Sequence, residues 1–91
     1  MIAQTIKNGK SVCLSADYHV DTEKVYFTVC CFSFDKDRFR TTFEFCEFAP
    51  AARVYKSISK RIESEDEFLA SHIHTLAYAS RSLGYSVKEV A

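Results

Sequence analysis

The sequence predicts an α+β domain: a four-stranded antiparallel β-meander followed by two helices packed on one sheet face. Apolar and polar residues alternate with period two through the first half, and the spacing turns helical at Pro50. The links between the alternating runs are short and polar, which favours antiparallel neighbours. Residues 1–91 read as a single α+β domain.

Asn8-Gly9 is the first turn signal, since both residues tolerate positive φ. It joins a short strand near residues 2–7 to a longer one near residues 10–20. In the longer strand Val12, Leu14, Ala16, Tyr18 and Val20 share one face, and Cys13, Ser15, Asp17, His19 and Asp21 the other. Residues 21–24 form a polar turn. The third strand, residues 25–34, is apolar on both faces: Val25, Phe27, Val29 and Cys31 point one way, and Tyr26, Cys30, Phe32 and Phe34 the other. A continuous apolar run marks a strand covered on both sides. After a second polar turn at residues 35–38, the strand over residues 39–48 sets Phe39, Thr41, Phe43 and Phe45 against Arg40, Thr42, Glu44 and Cys46.

Pro50 suits the first helical position, where no amide donor is needed. Ala51, Val54, Tyr55, Ile58 and Ile62 then form one helical stripe. Ser64 and Glu67 have capping-box spacing, opening a second stripe of Leu69, Ile73, Leu76, Ser80 and Leu83, with Phe68 and Ala77 beside it. Gly84 is placed to end that helix in a left-handed cap. Residues 85–91 fit a short strand and a capped helix start equally well.

With 47% hydrophobic residues, two glycines and one proline, the chain reads as a packed globular protein. Twelve basic residues balance twelve acidic ones, which argues against a protein whose main task is wrapping nucleic acid. The first ten residues lack the apolar core of a secretory signal, and no run approaches a membrane span. The expected location is therefore cytoplasmic. Cys13, Cys30, Cys31 and Cys46 are expected to be reduced thiols.

Catalytic and metal signals are weak. No CxxC or HExxH spacing occurs. His72 and His74 lie about 200° apart round a helix, so they cannot share an ion. Cys13 and His19 share a strand face but stand roughly 20 Å apart along it. Only a composite of Cys13, one vicinal cysteine and Cys46 is geometrically open. Two glycines supply no phosphate-cradling loop, and Glu44 with Glu47, or Glu65 with Glu67, carry no mark beyond solvated charge. The expectation is no enzyme, no cofactor and no metal.

Two surfaces remain. Arg53, Lys56, Lys60 and Arg61 form a basic ridge about 12 Å long on the first helix, suited to an acidic protein partner or, as an alternative, to nucleic acid. Tyr26, Phe32 and Phe34 form a spare aromatic face, suited to a homodimer seam, another protein or stacked bases. The glycine-aromatic signature of RNA-recognition sheets is absent. In size, free cysteines and layout the chain is similar in general type to small phage-encoded inhibitors such as anti-CRISPR proteins. No motif carries that likeness and it assigns no residue. The functional expectation is a homodimeric protein-binding regulator or inhibitor, with no membrane partner.

Overall fold

Asn8 and Gly9 both take left-handed backbone, at φ 49° and 77°, so the chain reverses in two residues. This turn joins β1 (Ala3–Lys7) to β2 (Lys10–His19). The computed structural model describes residues 1–35 and 38–90. β3 (Lys24–Ser33) and β4 (Phe39–Phe45) follow, then α1 (Phe48–Glu63), α2 (Leu69–Ser82) and β5 (Ser86–Val90). Among the described residues the strands form one antiparallel sheet in the order β1-β2-β3-β4-β5.

The sheet therefore has five strands, one more than the sequence predicts. Residues 86–90 pair with β4, placing Val87 opposite Phe43 and Val90 opposite Arg40. Val87 is buried there, and that burial resolves the ambiguous tail in favour of a strand. Residues 36 and 37 of the expected turn after β3, and Ala91, lie outside the described residues.

One parity of the sheet supplies the core. Val12, Leu14, Val29, Cys31, Phe43, Phe45 and Val87 are buried together with Ala51, Val54, Ile58 and Ile62 of α1 and Leu69, Ile73 and Ala77 of α2. Phe43 and Phe45 are fully buried, with parallel rings 6.2 Å apart. The predicted stripe of α1 is the buried one. In α2, Leu69, Ile73, Ala77 and Ser80 are buried and Leu76 is half-buried, while Leu83 is 76% exposed and Phe68 is exposed as well.

Helix ends depart from the sequence reading in two places. α1 starts at Phe48, so Pro50 occupies its third position, still within the turn whose amides need no partner inside the helix. Ser64 does not cap α2. It ends α1, where its hydroxyl donates to the Arg61 carbonyl. The N-cap position of α2 falls at Phe68, which has no side-chain cap, and just before it Asp66 Oδ1 accepts from the Phe68 amide at 2.9 Å.

Both helices close in the same motif. After α1 the Glu65 amide donates to the Ile62 carbonyl and the Asp66 amide to Arg61. After α2 the Gly84 amide donates to Arg81 and the Tyr85 amide to Ser80. These are Schellman closures, which need a left-handed residue. Gly84 meets that need at φ 89°, as predicted; Glu65 meets it at φ 55° with a side chain.

Candidate functional site

The register fixes what the face opposite the core presents. Ile6, Ser11, Phe32, Arg40 and Val90 form one row across all five strands. The next row is Gln4, Cys13, Cys30, Thr42 and Lys88, and the one after holds Ser15, Thr28, Glu44 and Ser86. Among the described residues β1 and β5 are the two edges of the sheet, and no strand crosses these rows.

Apolar groups on this face stay in water. Phe34 is 72% exposed, Ile6 66% and Val90 60%. Phe32 is half-buried, its ring edge-on to that of Phe34 with centroids 5.0 Å apart. The Phe34 amide donates to the Gly9 carbonyl at 2.9 Å, which carries the pairing with β2 one residue past the end of β3. Ser11, in register between Ile6 and Phe32, is buried, and its hydroxyl has no hydrogen-bond partner among the described residues.

Tyr26 does not join this pair. It lies six residues back along β3, roughly 20 Å away, and its ring stands edge-on to His19 at 4.5 Å. The aromatic face predicted from the sequence is thus two separate clusters on one strand. A further exposed pair lies on the core-facing parity near the β2–β3 turn: Tyr18, 60% exposed, opposite Val25. Alternation alone gives no sign that the core stops short of that turn.

The four cysteines are free thiols. Cys13 and Cys30 are direct cross-strand partners on the face opposite the core, and the Thr42 hydroxyl donates to Cys30 Sγ at 3.7 Å. Cys31 points into the core, where burial and then the neighbouring Cys30 push its thiol up to about 12. Cys46 is exposed. The conceivable composite of cysteines is therefore dispersed, and no group of three metal-ligating side chains occurs among the described residues.

On α1, Arg53, Lys56 and Lys60 are exposed and have no ion-pair partner among the described residues. Arg61, the fourth member of the predicted ridge, is bound to the Asp66 carboxylate. The ridge is effectively three cations. His72, on α2, shares a 2.7 Å hydrogen bond with the Ser57 hydroxyl of α1, and burial followed by the Arg61 charge lowers its proton affinity. His74 contacts Glu89, so the two histidines serve different partners.

Among the described residues no helix is long and apolar enough to cross a membrane. Neither a protein-family model nor a curated protein nor a solved structure matches this chain.

Proposed function

We propose that this chain is a non-enzymatic protein-binding module that pairs with a second copy of itself through the sheet face opposite the core. In this reading both helices lie on the core-facing side, leaving the other side for the partner. The single observation that carries it is the exposure of Phe34, beside half-buried Phe32, on the sheet face opposite the core. Isolated exposed apolar residues are ordinary, but a contiguous set on one face marks an interaction surface.

Charge placement supports the same reading. Toward one end of this face Thr28, Cys30 and Phe32 of β3, Phe34 just beyond it, and Ser11, Cys13 and Ser15 of β2 are uncharged, while the charged Asp17 and Lys24 lie toward the β2–β3 turn. Arg40, Glu44 and Lys88 lie to one side, on β4 and β5. A charge-poor centre with a polar rim is the usual anatomy of a protein interface. Arg53, Lys56 and Lys60 then offer a second surface to an acidic partner protein, which suits a cytoplasmic regulator or inhibitor.

Sedimentation velocity over a range of concentrations tests the pairing. Wild-type protein is expected to sediment as a dimer at tens of micromolar, and Phe34→Glu, at an exposed position that tolerates charge, as a folded monomer. A wild-type monomer throughout would refute self-association.

The unpaired cations of α1 also favour a second reading, in which that ridge binds nucleic acid phosphates. Its test is retention of a short duplex at low salt that disappears in Arg53→Glu/Lys60→Glu. Absence of retention at low salt excludes it.

A further inference from the structure

Two rings at the end of β3, Phe32 and Phe34, and two arginines at the start of β4, Arg38 and Arg40, line one cavity. Phe32 is the register partner of Arg40, and Phe34 and Arg38 each stand two residues further toward the turn. Within each pair the residues are i and i+2, so they share a face about 7 Å apart. Phe32, Phe34, Arg38 and Arg40, with Phe39 and Val90, line a shallow cavity of about 430 Å³.

The two arginines have no ion-pair partner among the described residues. The described carboxylates near that end of the sheet have other partners: Asp35 contacts Lys10 at 3.3 Å, and Glu89 contacts Arg81 and His74. Unpaired guanidinium groups offer planar donors to an oxyanion, and an exposed ring offers a stacking surface. Neither feature is satisfied among the described residues, and the two line one cavity.

We infer that this end of the sheet binds a small anion built from a flat aromatic ring and a phosphate. The ring stacks against Phe34 and Phe32 while Arg38 and Arg40 hold the oxyanion. A nucleoside monophosphate and a simple aryl phosphate share this chemistry. The site uses two residues of the proposed seam, but its chemistry does not depend on self-association.

The test is titration of ¹⁵N-labelled full-length protein with phenyl phosphate, adenosine monophosphate, inorganic phosphate and benzyl alcohol. It is run on wild type and on Thr28→Arg, which places charge in the seam away from the cavity. Phenyl phosphate is expected to shift the amides of Phe32, Phe34, Arg40 and Val90. Its binding should be roughly tenfold tighter than that of either half alone, because stacking and charge act together. Tighter binding of adenosine monophosphate would assign a nucleotide, and equal binding a simple aryl phosphate. Arg38→Gln/Arg40→Gln, which removes charge from exposed positions, should weaken binding about tenfold without altering the remaining spectrum. Phenyl phosphate binding no more tightly than inorganic phosphate in both proteins, or equally well to the double variant, would overturn the assignment.

Discussion

Arg81 and Glu89 are joined across the gap between the last turn of α2 and the edge strand β5, with Nη1 donating to Oε1 at 2.7 Å. Arg81 Nη2 also donates to the Val87 carbonyl at 2.9 Å, on the same strand. With His74, which also contacts Glu89, this side chain ties α2 to a strand that pairs with β4 at the sheet edge. The ion pair is partly exposed, so its worth is modest, about 1 kcal/mol with the carbonyl bond included. Arg81→Met keeps the aliphatic stem and removes both donors. Amides of residues 86–90 are expected to exchange about fivefold faster by hydrogen exchange, while amides of β2 and β3 stay unchanged.

Glu65 holds left-handed backbone at the end of α1, where Gly84 does the same job after α2. A side chain in that conformation carries strain of about 1 kcal/mol. The Asn8 amide donates to the Glu65 carboxylate, an exposed contact that offsets only part of it. Glu65→Gly is therefore expected to raise the melting temperature by about 4 °C. Gly84→Ala is expected to lower it by a similar amount. Thermal unfolding followed by circular dichroism reads both.

Thiol reactivity should follow position in the fold. Cys46 is exposed, Cys13 and Cys30 are half-buried, and Cys31 is buried with its thiol pushed up to about 12. Labelling by iodoacetamide at neutral pH, read by mass spectrometry, is expected to modify Cys46 first and Cys31 only on unfolding. Early modification of Cys31 would mean that the core opens there.

Acid should destabilise the fold in two stages. Burial, then Arg61, makes His72 harder to protonate in the folded chain, so the unfolded chain takes up its proton first. Stability then falls as pH drops below about 6.5. The Glu89 carboxyl is held below its usual range first by the hydrogen bond from His74 and then by Arg81. Its contribution is present above the ordinary carboxylate range and is lost as pH falls through that range. Urea midpoints are expected to hold down to about pH 6.5 and then to decline in two stages toward pH 3. In His72→Gln the upper part of that decline should flatten, while the lower part persists.

Much of the fold is legible in the sequence because short-range chemistry decides it. Asn8-Gly9 specifies its hairpin, the alternation through Val12, Leu14 and Val29 specifies the core face, and Gly84 specifies a helix end. The fifth strand is not legible, since residues 86–90 carry two patterns at once and only the free edge of β4 chooses between them. The cap of α2 is misread for a related reason: Ser64 has the right spacing, but α1 continues to Glu63 and uses it first. On the candidate surface, residue types are legible and neighbours are not. That Phe32 meets Arg40 while Tyr26 stands apart with His19 depends on register, which loop geometry fixes over many residues.

The most direct test of the central proposal asks which atoms of one copy touch the other. Mixing uniformly ¹³C,¹⁵N-labelled protein with unlabelled protein and recording isotope-filtered NOEs gives that answer. Contacts between copies are expected at the side chains of Cys30, Phe32 and Phe34. Monomeric tumbling with no such contacts, or contacts confined to Tyr18 and Val25 beside the β2–β3 turn, would contradict pairing through this face.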